Sequence, residues 1–424
     1  MYGWRSTALA VVLPLVFGVS VCDAQETPKA GPVFSDTGPN AETYGEQLGY
    51  PVHWPLTKPE NMVGDYSHFD QLPGIKTSII AAAEKPSPLL RAPDEITASY
   101  PVDNNTFVPS MATLPDYLAR NPATGLLIAH DQTILYEHYQ YGRTDHDRFL
   151  SQSMAKTITA MLIGIAISEG AIHSVDDTAE TYVPELKGTE IGSTPIRALL
   201  HMASGIAFTE NYSGRDDNAK LVHLLLGKTK ISTVEAVSQF NQRVAPPDTH
   251  WHYKALDPEV LGLVLTRATH MTMSEYLQTR IWQPMGAEAS ATWVVDNSGQ
   301  EQAFASFSAT LRDYARFGLL LAHDGLWNGH QIIPRQWILD ATQPVEQGSF
   351  RAIEGTYGYG YLTWLFPGPD RMFWMDGLSG QRIIVDPTTH LVLVQTAVQP
   401  DSPFLAQAEL FNLWNAVLKQ FSTN

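Results

Sequence analysis

Apolar positions along the chain change their spacing twice. Residues 125–129 and 133–139 form short apolar or alternating runs on either side of His130-Asp131-Gln132, a pattern that predicts two strands around a tight turn. Residues 157–167 are apolar without a break and too many for one strand, which predicts a helix buried on all sides. From 170 to about 300, helical spacing and turns dominate and strand signals are few; residues 197–202 and 260–265 are examples. Strand character returns at 357–366, then at 382–385 and 391–395, a hairpin turning at Asp386-Pro387. Residues 405–421 close the chain with helical spacing.

Strands at both ends of the body with helices between them predict an α+β fold. One antiparallel sheet is flanked by helices, and an all-helical domain at about 170–300 is inserted into it. The boundary between sheet and insertion is the natural place for an active-site cleft. Ahead of this body, residues 25–105 hold 11 of the 28 prolines and little periodicity, so they read as an extension wrapping the body. Disorder is the competing reading; Tyr44, Tyr50, Trp54, Tyr66 and Phe69 argue for partial packing, since disordered segments are poor in aromatics. Residues 1–24 read as a secretory signal peptide: Arg5, an apolar run from 8 to 21 interrupted by Pro14, then Cys22-Asp23-Ala24 as cleavage point. That predicts a periplasmic or secreted protein. A lipoprotein attached through Cys22 is the secondary reading, since Val21 is bulky for such processing. Cys22 is the single cysteine, so the mature chain is expected to have neither disulfides nor thiol chemistry.

The net charge of −17 argues against nucleic acid or an anionic membrane as partner, and no stable membrane span is expected. Oligomeric state is not readable. The chemistry concentrates at Ser153-Met154-Ala155-Lys156. Lys156 is the only charged residue between Arg148 and Glu169 and heads the apolar run. Burial disfavours an ammonium and turns lysine into a base. Residues three apart share a helix face, so Ser153 and Lys156 pair as nucleophile and base. The plainer alternative is a serine-capped helix start with a lysine reaching out to solvent.

These residues resemble the serine hydrolases related to class C β-lactamases and penicillin-binding proteins, most of all the esterase and aminohexanoate-oligomer hydrolase branch. The resemblance spans roughly 106–424. It rests on the Ser151–Lys156 stretch, Leu199-Leu200-His201-Met202-Ala203-Ser204-Gly205-Ile206, Trp251-His252-Tyr253-Lys254-Ala255-Leu256, Leu311-Arg312-Asp313-Tyr314-Ala315-Arg316-Phe317-Gly318, and Gly377-Leu378-Ser379-Gly380-Gln381, in that order. It implies a β-lactamase/transpeptidase-like fold and an acyl-enzyme mechanism. Ser153 is then the acylated nucleophile, Lys156 its base and Tyr253 the proton shuttle. The backbone N–H groups of Ser153 and Gln381 form an oxyanion hole, with Ser379 and Gly380 lining the substrate site. Two positions depart from the β-lactamase pattern: Ala255 stands where an asparagine is usual, and Leu378 replaces a cationic or imidazole residue. Both remove polar anchors for a β-lactam, so esters or linear amides are the expected small-molecule substrates. A D-amino-acid peptidase acting on cell-wall peptides is the rival within enzymes, and a silent binding protein on the same scaffold the rival outside them.

No cofactor or metal is expected. His250 and His252 flank Trp251 without a third ligand at metal spacing. Tyr212, Asp216 and Asp217 read as a solvated loop, with recognition of a substrate amine as the alternative, and Gly358-Tyr359-Gly360-Tyr361 reads as a close-packed strand in preference to a phosphate cradle. The chain has no G-x-S-x-G elbow.

Overall fold

The computed structural model describes residues 31–102, 110–228, 231–343, 351–353, 357–368, 370–399 and 408–422, besides Met1 and Gly3. The leader expected at 1–24 therefore lies outside the described residues. Among the described residues no helix is long and apolar enough to cross a membrane.

The central sheet draws on both ends of the chain. Its order is Thr133–Tyr139, Ala123–His130, Leu391–Ala397, Gln381–Asp386, Phe373–Gly377, Trp364–Leu365, Tyr357–Tyr359 and Arg351–Ile353, with every neighbour antiparallel. Val33–Phe34 and Leu90–Arg91 add parallel pairings to Thr133–Tyr139. Gln381–Asp386 and Leu391–Ala397 are buried throughout, which is why they read as continuous apolar runs without alternation.

Strand alternation assigns the two faces. Ile383 and Val392 lie on one face, where helix Leu311–Ala322 packs. A Cβ on Gly318 of that helix would come within 2.7 Å of Val392, so glycine lets helix and sheet meet. Trp374 and Ile384 lie on the other face, where Phe411 of helix Ala408–Leu418 meets Trp374 edge-on at 5.6 Å. The α+β architecture expected from the pattern is thus present. The stretch at 357–366 differs from the single strand expected: it is two short strands. Between them the backbone is drawn to the helices, with Tyr361 N–H donating to Ala341 O and Leu362 N–H to Leu200 O.

Residues 31–102 are woven into the body. Thr77–Ile80 begins a second, antiparallel sheet that continues through Ala291–Val294 and Phe307–Ala309 to Phe149–Leu150. Helix Pro59–Ser67 is buried along most of its length. The helix Ala155–Ser168 is buried from Ala155 to Ala166 and packs against helix Leu256–Thr269. Its one lysine, Lys156, is buried with the rest of the helix.

Candidate active site

Phe149–Leu150 leads directly into the turn Gln152–Met154, which runs on into helix Ala155–Ser168. Ser151 N–H donates to Phe307 O at 2.7 Å and fixes the entry. Gln152 sits at φ +46, a left-handed conformation that persists only where its surroundings hold it. Its side-chain amide donates to the hydroxyl of Tyr66 at 3.1 Å, and that hydroxyl also meets Ser379 Oγ at 3.0 Å. Strand Phe373–Gly377 passes close beneath: a Cβ on Gly377 would lie 2.4 Å from Ser151 O, so only glycine permits the approach.

Lys156 Nζ lies 2.8 Å from Ser153 Oγ and donates to Phe304 O at 2.9 Å. The residue is 2% exposed. Burial lowers its pKa to about 8, against the pull of the Glu210, Asp376 and Glu259 carboxylates. Nζ also sits 4.9 Å from the ring centroid of Tyr253. The Tyr253 hydroxyl is hydrogen-bonded to Ser153. Burial, and next the Glu210 carboxylate, hold that phenol well above its ordinary pKa, so it stays an O–H at neutral pH. Its ring stacks on Trp364 at 5.9 Å.

The loop carrying Tyr253 is anchored from below. Lys254 is buried, with Nζ 3.2 Å from Ser204 Oγ and 3.8 Å from Asp257 Oδ2. Asp257 also accepts from Ser204 N–H at 3.3 Å, although burial raises its pKa. Ala255 N–H donates to Glu210 at 2.6 Å, and His252 N–H to Met202 O at 2.8 Å. Breaking one half of such a buried polar set leaves the other half unpaired, which costs about 1–3 kcal/mol. The loop is therefore held as a unit.

A cleft of about 1290 Å³ opens over Ser153 and Lys156. Trp54, Phe69 and Ile75 from the N-terminal segment and Val222 and Leu226 from helix Asp217–Leu226 give it apolar walls. Glu210 lines it as well.

A serine facing the cleft, paired with a buried lysine and a protonated tyrosine, is the equipment of covalent acyl transfer. The profile of the β-lactamase family matches residues 112–416. The chain belongs to the β-lactamase family. It is a serine hydrolase of that family. Among curated relatives, the 6-aminohexanoate-dimer hydrolase of Paenarthrobacter ureafaciens is 26% identical over 319 residues, covering 68% of this chain and 76% of the relative. A candidate D-alanyl-D-alanine carboxypeptidase of Salmonella agona is 24% identical over 199 residues, covering 46% of this chain and 44% of the relative. Among solved structures, a candidate 6-aminohexanoate-dimer hydrolase from Bacillus anthracis superposes with a TM-score of 0.77 at 23% identity, covering 87% of this chain and 97% of that one.

Of the family positions expected from sequence, Ser153, Lys156 and Tyr253 meet at one point. Ser379 approaches through Tyr66 and is left-handed at φ +64. Gly380 follows at φ +92, and its carbonyl accepts from Gln395 at 3.0 Å. The Gln381 side chain turns into the sheet, donating to Ala397 O at 2.6 Å, so only its backbone faces the question of substrate. His250 and His252 do not pair: His252 contacts Phe208 O at 2.7 Å and His250 contacts Thr249 at 2.9 Å. The loop at 211–217 is more than a solvated turn. Asp216 caps helix Asp217–Leu226, and Tyr212 lines the cleft with its hydroxyl donating to Glu210 at 3.0 Å. Tyr66, Glu210, Lys254 and Asp257 were not singled out by sequence reasoning for this site. A glutamate beside a serine motif carries no spacing signal, and Tyr66 lies 87 residues before Ser153.

Proposed function

We propose that this enzyme hydrolyses linear amides and esters through an acyl-enzyme on Ser153. The single observation that carries the reading is the 2.8 Å approach of a dry Lys156 amine to Ser153 Oγ. The free amine takes the serine proton as Oγ attacks the substrate carbonyl. The oxyanion forms at the start of helix Ala155–Ser168, where the helix dipole favours negative charge, and the backbone N–H groups of Ser153 and Gln381 hold it. Tyr253 gives its O–H proton to the leaving amine or alkoxide and regains one from the Lys156 ammonium. Water then releases the acyl group by the same path in reverse.

The relatives named as 6-aminohexanoate-dimer hydrolases favour a linear amide, and the long apolar walls of the cleft suit an aliphatic chain. Ala255 and Leu378 offer no side-chain anchor for a β-lactam carboxylate, so β-lactams are poor substrates. The protein works after export, freed of residues 1–24, and 106–424 form its hydrolase domain with a helical part at about 170–300. The match to a candidate carboxypeptidase supports one second reading, cleavage of D-amino-acid peptides. Ser153→Ala is expected to abolish labelling by a fluorophosphonate. Labelling of that variant at the wild-type rate refutes the assignment. A panel of 6-aminohexanoate dimer, nitrophenyl esters, D-alanyl peptides and a β-lactam then ranks the substrates by kcat/KM.

A further inference from the structure

The far end of the central sheet gathers histidines that the hydrolytic site does not use. Asp131 occupies the turn between Ala123–His130 and Thr133–Tyr139. His390 immediately precedes strand Leu391–Ala397, and His323 caps the C-terminus of helix Leu311–Ala322. These three come from separate elements, yet one atom from each lies within 4.8 Å of the others. Asp131 Oδ1 is 3.2 Å from His323 Nε2 and 3.0 Å from His390 Nδ1. The two imidazoles stand 4.0 Å apart between centroids, tilted by 37°. Backbone contacts hold the turns together, with Asp131 N–H donating to His390 O at 3.2 Å.

Two imidazoles aimed at one carboxylate oxygen are one proton each away from a ligand set. In a tetrahedral zinc site with bonds of about 2.0–2.1 Å, neighbouring donor atoms stand about 3.3 Å apart. The two spans measured to Asp131 Oδ1 fall within a few tenths of an ångström of that. A nitrogen-rich set with one carboxylate suits zinc, and by the same chemistry nickel or copper, in preference to calcium or magnesium. Side-chain exposures of 24% for His323, 42% for His390 and 50% for Asp131 leave room for an ion to enter and keep water. His130 Nδ1, 3.7 Å from Asp131 Oδ2, stands beside the set as a further donor. The cluster lies at the Asp386 end of strand Gln381–Asp386, about 16 Å along the strand from Gln381. It is a separate place from the nucleophile.

We propose that Asp131, His323 and His390 form a binding site for one divalent transition-metal ion of the zinc class, which clips two strand turns to the end of helix Leu311–Ala322. An ion that binds the folded chain alone raises its stability by mass action. The test takes the mature protein stripped with a chelator and titrates it with zinc sulfate by calorimetry, with thermal melts at about a hundredfold excess over Kd. One equivalent of zinc is expected, with a raised Tm. His323→Ala/His390→Ala is expected to weaken binding at least about tenfold and to abolish the rise in Tm, while ester hydrolysis stays at the wild-type level. Asp131→Asn, which keeps the shape of the turn, is the second variant in case the first folds poorly. Absence of stoichiometric zinc binding by the wild-type protein overturns the proposal, as does wild-type zinc affinity in both variants.

Discussion

Replacing Lys156 by methionine separates the cost of the buried amine from its chemistry. The side chain stays unbranched and flexible, ends one atom short of Nζ, and loses its charge. Its pKa falls from the ordinary 10.5 to about 8, chiefly by burial. A fall of about 2.5 corresponds to roughly 3 kcal/mol at about 1.4 kcal/mol per pKa unit. Below pH 8 the amine is protonated in the folded and the unfolded chain alike, so the folded state bears that whole cost. Between pH 8 and 10.5 the folded protein has released the proton and the unfolded chain still holds it, so wild-type stability rises with pH through this window. Above 10.5 neither state is charged and the cost is gone. Methionine removes the cost at every pH but leaves Phe304 O without its donor, a loss of about 1–3 kcal/mol that does not depend on pH.

The net effect of Lys156→Met at pH 7 is therefore small, from neutral to about 2 kcal/mol stabilising. The part that tests the reasoning is the change with pH. Stability of variant minus wild type is expected to drop by about 2–3 kcal/mol between pH 7 and pH 10, because only the wild type gains over that range. Urea unfolding followed by fluorescence at both pH values measures it. Hydrolysis of a nitrophenyl ester is expected to fall by about 10²–10⁴, the usual worth of a general base. A difference in stability that stays constant with pH would show that Lys156 is not held dry, and the catalytic argument would fail with it.

Three further outcomes follow from neighbouring groups. Tyr253→Phe keeps the ring against Trp364 and removes the proposed proton carrier; kcat is expected to fall by about 10²–10⁴ with near-UV circular dichroism unchanged, and full activity excludes the relay. Glu210→Gln removes the carboxylate that does most to hold the Lys156 pKa up, so the acidic limb of kcat/KM should move to lower pH; a shift upward, or none, contradicts the charge assignment. Tyr66→Phe deletes the hydroxyl joining Gln152 to Ser379, and is expected to cost about 1 kcal/mol in urea unfolding and to raise KM; wild-type values in both would make that bridge incidental.

What the sequence made legible was what has a period or a short spacing. Ser153, in the turn Gln152–Met154, and Lys156, in the first turn of the helix that continues it, sit three apart, and the uninterrupted apolar run after them fixed both the helix and the burial of the lysine. The paired strands at each end were legible for the same reason. Tyr66 was readable only as an aromatic in a proline-rich stretch, because its role depends on a contact with Ser379, 313 residues away. The hairpin hidden in 357–366 was lost because Leu362 turns left-handed at φ +50 to follow tertiary hydrogen bonds, which no local preference encodes. Asp131, His323 and His390 were invisible as a set, since no motif spacing links residues on three separate elements.

The proposed base, Lys156, depends on such long-range placement. Desolvation alone would carry Lys156 lower than about 8, and three carboxylates resist it. Glu210 lies in the loop before helix Asp217–Leu226, Asp376 on strand Phe373–Gly377, and Glu259 on the helix Leu256–Thr269. Each belongs to a different element, and none shares a helix or strand with the lysine. A base works best when its pKa lies near the working pH, since a lower value weakens its pull on the serine proton and a higher one leaves it protonated. The balance at Lys156 is thus set by how the helical part and the sheet are docked. A substitution that moves one of these carboxylates away from Lys156 is expected to shift the acidic limb of the pH profile downward, even where it touches neither Ser153 nor the cleft.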